Sequence, residues 1–329
     1  MTYDELARFA ATCDGATMRS FLTENLQTVS PEGFLNKFTW ATVTLLLEGP
    51  MIELEGHDIA RMVRGGLWPA LQATSSQEAA AGRPCTRTPA CLLDLLWNDF
   101  GRLSRGRDIP KPWLIRAGNP VPKAASTSRA VVQFILFGLA ATYCEEAADI
   151  LCSLFGGTGR TADGVAAWRV LEEEIVIDEG LEQLCLPNQI RIDLLSPLRL
   201  ARNGAASADY NAFLPGLVDR VDGLALWQGL KLHCDFSALR QHARGIEVLD
   251  DETQQHDWHR RSGRTGKVVA SSHATGSLVI RGGLAPLAPF LSLLPVCHAG
   301  KDTRLGHGWC AVNGRDAYTD LAGAFAVRA

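Results

Sequence analysis

The chain has 329 residues, 47% of them apolar and 21% charged. That is ordinary globular usage with enough chain for two domains, so a disulfide-stapled miniprotein and a low-complexity polymer are both excluded. Thirty-two Lys and Arg against 36 Asp and Glu give a formal charge of −4, so any nucleic-acid surface has to be local.

Nine cysteines show no repeating spacing, and the start Met-Thr-Tyr-Asp-Glu lacks the basic and apolar regions of a secretory signal. Both features point to a reduced, cytoplasmic compartment. The longest apolar run, Val131 to Cys144, contains Gln133 and falls short of the roughly 20 residues that cross a bilayer. No membrane-spanning segment and no membrane partner are expected.

In chain order, residues 1–37 carry apolar positions at helical spacing (Leu6, Phe9, Ala10, then Met18, Phe21, Leu22) up to the break at Ser30-Pro31-Glu32-Gly33, which reads as a helical arm. Thr42 to Leu54 reads as a strand. It leads into an amphipathic helix from Asp58 to Leu71, with Asp58 placed as N-cap. Ala73 to Pro84 and Arg105 to Ser128 read as surface loops, with a helix from Cys91 to Leu103 between them. Val131 to Phe155 reads as a long helix ended by Gly156-Gly157, and strands are expected at Ala166 to Ile177 and Gln189 to Leu195. The second half repeats the order: a strand ending at Ser196-Pro197, a helix from Asp209 to about Leu232, strands within 266–281, an apolar segment from Leu284 to Leu294 and a last strand, Trp309 to Asn313. Two α+β modules, each a split βαβ arrangement, account for this pattern better than a doubly wound sheet.

Charge is uneven along the chain. Trp258 to Gly308 holds seven basic residues (Arg260, Arg261, Arg264, Lys267, Arg281, Lys301, Arg304) and one acid, Asp302, for a net +6 that leaves −10 on the remainder. Such a segment suits phosphate binding, because each cation near an RNA phosphate releases condensed counterions. A solvated charged loop is the plain alternative. Within the segment, Gly300, Gly306 and Gly308 flank Lys301 and Arg304, a composition that lets the backbone turn through positive φ and form an anion nest. It is not a Walker loop, since position 295 is Pro and Asp302 follows the Lys.

The run Gly300-Lys301-x-Thr303-x-x-Gly306-x-Gly308 after an apolar segment resembles the C-terminal glycine-rich signature of the RAMP superfamily, specifically the CRISPR-associated endoribonucleases that process precursor crRNA. Arg260 to Lys267, Ala274 to Ile280, and Ile190 to Leu200 with Ser196-Pro197-Leu198-Arg199-Leu200 are similar to that family's basic segment and strands. Val63-Arg64-Gly65-Gly66-Leu67, then Cys85, Cys91 and Trp97, and Phe137-Gly138-Leu139 fit in the N-terminal half, so that the likeness spans about residues 40 to 313.

The resemblance implies an α+β chain with two ferredoxin-like, RRM-like modules in tandem. Residues 1–37 would be the helical arm, 38–186 the first module with a helical insertion, and 187–329 the second module with the glycine-rich RNA-binding loop. It implies a CRISPR repeat RNA as partner, retained as crRNA, with other CRISPR effector subunits as further partners. The implied reaction is metal-independent cleavage by the ribose 2′-OH, leaving a 2′,3′-cyclic phosphate and a 5′-OH, with no cofactor. A non-catalytic RAMP scaffold that binds crRNA without cutting is the alternative.

Such a reaction needs a base, an acid and cations. His57 lies just ahead of the first helix, in the neighbourhood where many relatives place a catalytic histidine on or after that helix, and an imidazole suits general-base work; an ordinary loop residue is the other reading. Arg61 and Arg64, three apart on that helix, share a face and could hold the scissile phosphate, or simply be solvated. Arg260, Arg261, Arg264, Lys267, Gly300, Lys301, Arg304, Gly306, His307 and Gly308 are the expected RNA-binding set, with His307 equally readable as a turn residue. Trp258 and Trp309 flank the basic segment and could stack on bases or belong to the core. His256-x-x-His259 with His273, Cys297 and His298 lacks the paired short spacings of a zinc site, so no metal is expected.

Overall fold

Two segments dense in apolar residues, 39–50 and 189–198, each become a strand paired along both edges of an antiparallel sheet. The computed structural model describes residues 1–50, 55–104, 107–118, 121–124, 127–156, 168–202, 205–207, 210–261 and 268–316. Its helices in chain order are α1 (Tyr3–Ala10), α2 (Gly15–Phe21), α3 (Pro31–Leu35), α4 (Gly56–Thr74), α5 (Gln77–Ala80), α6 (Leu92–Trp97), α7 (Cys144–Gly156), α8 (Phe213–Leu226), α9 (Phe236–Arg244) and α10 (Ala288–Cys297). The strands are β1 (Gln27–Val29), β2 (Thr39–Pro50), β3 (Arg102–Ser104), β4 (Arg107–Asp108), β5 (Trp113–Ala117), β6 (Val121–Ala124), β7 (Thr127–Phe137), β8 (Arg169–Glu179), β9 (Gln189–Leu198), β10 (Leu200–Arg202), β11 (Ala205–Ser207), β12 (Leu230–Leu232), β13 (Glu247–Asp251), β14 (Gln254–Arg261), β15 (Val268–Arg281) and β16 (Cys310–Val312).

The chain divides into two compact units: Met1–Leu181 with Asp222–His233, and Glu182–Val221 with the chain from Cys234 onward. In the first unit the sheet order is β5-β7-β2-β8, all antiparallel. With α4 between β2 and β5 and α7 between β7 and β8, this is the β-α-β-β-α-β order of a ferredoxin-like module. The second unit repeats it as β9, α8, β13, β15, α10 and β16, with sheet order β13-β15-β9-β16.

Several local expectations are corrected. Val131 to Phe155 is not one helix: it is the end of β7, a 3-10 turn at Gly138–Tyr143, and α7. From Val132 to Phe137 the strand is buried, so its apolar residues run without alternation, a pattern that imitates a buried helix. Gln133 within it is part of a buried polar row across the sheet. Arg116 Nε donates to its Oε1 at 2.6 Å, and its Nε2 donates to Thr44 Oγ1 at 3.2 Å. The helix expected at Cys91 to Leu103 stops at Trp97, and Arg102–Ser104 is a strand. The helix expected to reach Leu232 ends at Leu226, and β12 returns to pair in parallel with β1 in the first unit.

Residues 1–37, expected as a helical arm, contain α1, α2 and α3 with β1 and belong to the first unit. Leu6, Met18, Leu22, Phe34 and Leu35 are buried in the first unit, and Asp94 ties this region to α6. The Asp94 carboxylate accepts Arg19 Nη1 at 3.0 Å and Nη2 at 2.8 Å, the Cys85 amide at 2.7 Å and Asn98 Nδ2 at 2.9 Å. Burial pushes the carboxyl pKa up, yet these donors outweigh it and hold it below the ordinary carboxylate value.

Removing Asp94 therefore strands a partly buried guanidinium and an amide. Asp94→Ala is expected to lower unfolding free energy by about 3 kcal/mol in urea titrations at neutral pH. Because the folded-state pKa is lowered, the wild-type contribution is present above about pH 4 and fades as pH falls through the folded value. The gap between wild type and variant should accordingly narrow in strong acid.

Candidate nucleic-acid interface

The first cluster sits on α4 in the first unit. The helix begins at Gly56, with Glu55 as an N-cap that makes no side-chain cap bond, rather than at the expected Asp58. A Cβ on Gly56 would lie 2.0 Å from the Ala117 carbonyl oxygen, so only glycine lets the helix start this close to β5. His57 is thereby drawn into the first helical turn, and His57, Arg61 and Arg64 follow at i, i+4 and i+7 on one face. Ile59, Ala60, Val63, Leu67 and Leu71 form the buried stripe beside that face.

Each of the three side chains is held. His57 Nδ1 lies 3.0 Å from Glu55 Oε2, and its Nε2 is 4.0 Å from Asp58 Oδ2. Arg61 Nη2 is 2.7 Å from Asp58 Oδ1. The Arg64 guanidinium lies over the Trp97 ring, 5.1 Å from its centroid, and Trp97 in turn contacts Trp68 at 5.2 Å and Trp113 at 5.5 Å. A rigid aromatic stack thus supports a cation, while a chain of charge, Glu55, His57, Asp58, Arg61, runs along the helix start.

The second cluster is the loop after α10 in the second unit. Gly300, Asp302, Gly306 and Gly308 all have positive φ, between 63° and 82°. At Gly308 a Cβ would fall 1.8 Å from the Ala299 oxygen. The loop's amides, however, largely serve the protein itself: Ala299 N donates to Gly308 O, Lys301 N to Arg199 O, Leu305 N to Asp302 O, Gly306 N to Thr303 O and Gly308 N to Pro197 O. Instead of an open nest converging on an anion, these bonds fasten the loop to the end of β9. The one acid of the basic segment, Asp302, completes the fastening by pairing with Arg199.

Lys301 is exposed and Arg304 half-buried, whereas His307 is buried. His307 Nδ1 lies 3.2 Å from the Pro197 carbonyl oxygen, and its ring packs 4.7 Å from that of His273, which fits the turn-residue reading. Trp309 is 8% exposed with its Nε1 on Asp316 Oδ1 at 3.0 Å, and so belongs to the core and not to a stacking platform. Arg260 and Arg261 lie on β14 opposite Val269 and Val268. Arg264 and Lys267 lie outside the described residues, as does the side chain of Trp258. Among the described residues no group of three His, Cys, Asp or Glu is placed to hold a metal ion, and no helix is long and apolar enough to cross a membrane.

Sequence reasoning missed Arg220. It lies on α8, far along the chain from the glycine-rich loop, yet donates from Nε to the Cys297 carbonyl oxygen at 2.6 Å and is close enough to Arg304 for their charges to repel. A lone Arg in an amphipathic helix carries no signal of such a neighbour.

No protein-family model matches the chain, and no curated protein matches it by sequence. Solved structures do match. A product complex of Cas6 (TTHA0078) has a TM-score of 0.50 at 15% identity, covering 83% of this chain and 98% of that one. A product complex of Cas6 (TTHB231), a Thermus thermophilus protein, has a TM-score of 0.50 at 16% identity with the same coverage. The chain therefore shares the fold of these Cas6 structures, two successive ferredoxin-like modules, over 83% of its length.

Proposed function

We propose that this protein binds a CRISPR repeat RNA and cleaves it to give crRNA, as a metal-independent endoribonuclease. The observation that carries the reading is the alignment of His57, Arg61 and Arg64 on one face of α4 in a chain with the Cas6 fold. In the proposed reaction a ribose 2′-oxygen attacks the adjacent phosphorus and the bond from phosphorus to the 5′-oxygen breaks. The products are a 2′,3′-cyclic phosphate and a 5′-OH. His57 takes the 2′-OH proton, and the departing 5′-oxygen takes its proton from solvent water. With the Nδ1 hydrogen donated to Glu55, Nε2 keeps the lone pair for this role. Arg64, braced on Trp97, and Arg61 offset the charge that builds on the phosphate. Lys301, Arg304, Arg260 and Arg261 contribute to RNA affinity, Gly300, Gly306, Gly308 and His307 shape the loop that carries Lys301 and Arg304, and other CRISPR effector subunits are the expected further partners.

One observation favours the second reading, a scaffold that binds crRNA without cutting. Glu55 and Asp58 bring two carboxylates to the α4 cluster, and Asp58 already occupies Arg61. Negative charge there opposes an anionic transition state unless RNA binding turns Arg61 away from Asp58.

The two readings part at His57. If it is the base, His57→Ala is expected to slow single-turnover cleavage of repeat RNA by about 10²- to 10⁴-fold while leaving the dissociation constant nearly unchanged. Equal cleavage by variant and wild type would remove His57 from the mechanism. For the loop, Lys301→Ala and Arg304→Ala should each flatten the plot of log affinity against log salt by about 0.7 to 0.9. Filter-binding across a salt series reads this directly, and unchanged slopes would detach the loop from RNA.

A further inference from the structure

In the sheet of the first unit β8 is an end strand, paired with β2 along one edge and, among the described residues, with no strand along the other. Antiparallel neighbours exchange hydrogen bonds at alternate residues. Because the Gly180 amide donates to the Phe38 carbonyl at 2.9 Å, Asp178, Val176 and Glu174 turn their backbone groups to β2, and Ile177, Ile175 and Glu173 turn theirs to the open edge. Among the described residues no hydrogen bond reaches the amides or carbonyls of these three. The same stretch is apolar at its middle, with Val176 and Ile177 38% and 42% exposed.

The strands that end the sheets elsewhere are guarded. Strand β5 is buried from Trp113 to Arg116 and β16 is buried throughout, while β13, which exposes Val248 and Leu249, carries a bulge between Val248 and Asp250. Burial and bulges are ways in which folds keep an edge from pairing. Strand β8 has neither from Glu172 to Glu179.

Charge decides what kind of chain fits this edge. Glu172, Glu173, Glu174, Asp178 and Glu179 flank the apolar residues 175–177 on both sides, against one base, Arg169. Two of these acids already accept a bond within the unit, Glu173 from the Cys152 thiol at 2.8 Å and Glu179 from the Tyr3 amide, and both stay exposed. Such an edge repels RNA phosphate. It also repels a second copy of itself: antiparallel pairing centred on Val176 would set Glu174 opposite Asp178 and Glu173 opposite Glu179, and like charges directly opposite destabilise a strand pair. Its complement is an extended segment with Lys or Arg on either side of an apolar centre, bound through main-chain hydrogen bonds.

We propose that the open edge of β8 docks another protein, which adds such a segment to the sheet as a further strand, its apolar centre against Val176 and Ile177 and its cations beside Glu172 and Glu174 at one end and Glu179 at the other. No RNA takes part in this contact.

The test uses the full chain and a fluorescent peptide with blocked ends, Lys-Lys-Val-Ile-Val-Lys-Lys, read by anisotropy. The same peptide N-methylated at both valines keeps the charge and the apolar surface but loses the donors that would meet the Ile175 and Ile177 carbonyls. On the protein, Ile177→Pro removes an outward amide without touching the ladder to β2, and Glu172→Lys with Glu174→Lys reverses charge. Wild type should bind the parent peptide saturably, with binding weakened about tenfold or more by N-methylation, by Ile177→Pro and by the charge reversal. Equal affinity for the two peptides would reduce the contact to charge alone and overturn the proposal, as would the absence of saturable binding. Wild-type dimers in sedimentation that Ile177→Pro abolishes would give the edge to a second copy, and loss of repeat-RNA binding in a folded Ile177→Pro would give it to RNA; either result overturns it likewise. If thermal unfolding shows that Ile177→Pro does not fold, the two peptides on wild type decide alone.

Discussion

Each module depends on a first strand whose two edges are both consumed by antiparallel partners. In the first module β2 pairs with β7 from Trp40 opposite Phe137 to Pro50 opposite Thr127, and with β8 along its other edge. In the second, β9 pairs with β15 and β16. A strand so placed has no freedom to slip, because a one-residue shift would turn every buried side chain to the wrong face. Helix α4 and the glycine-rich loop inherit this rigidity. In the first module α4 starts against β5 through Gly56, and in the second the glycine-rich loop is fastened to the end of β9 through Pro197 and Arg199. The residues that could meet RNA are thus carried by short extensions of the stiffest parts of each sheet.

Electrostatics then sets what those residues can do. The two clusters are built differently. On α4 the cations are interleaved with Glu55 and Asp58, and it is the aromatic stack of Trp68, Trp97 and Trp113 that gives Arg64 a fixed place. At the glycine-rich loop the loop's own acid, Asp302, pairs with Arg199, while Lys301 is exposed. The first arrangement suits a site that must hold and release protons, and the second suits holding a phosphate backbone.

Much of this was legible in the sequence. The α+β class and the order of strand then helix in two modules followed from hydrophobic spacing and from punctuation by Gly and Pro, and the basic segment followed from counting charge. The strand pair of the first module did not, since 105–128 reads as a loop and 131–155 as a helix where β5 and β7 lie. What was not legible has physical causes. The buried strand β7 carries an unbroken apolar run that periodicity cannot tell from a helix, although Val131, Val132 and Ile135 favour a strand. The anchor of residues 1–37 was not legible, because Asp94 lies 75 residues from Arg19 and is one more acid in the sequence. The nest expected of three clustered glycines proved a fastening, since amide direction depends on the carbonyls of β9, which no local motif reports. Arg220 meets the loop only through the tertiary fold.

The reaction proposed for this protein is cleavage of RNA by the RNA's own 2′-OH. The most direct measurement incubates the protein with repeat RNA in excess EDTA, maps the product ends, and repeats the reaction with a single 2′-deoxy nucleotide at the cleavage site. A single cut ending in a 2′,3′-cyclic phosphate, abolished by the deoxy substitution, is the predicted result. Cleavage that persists on the deoxy substrate or ends in a 5′-phosphate would contradict it, as would tight binding with no cut in either RNA.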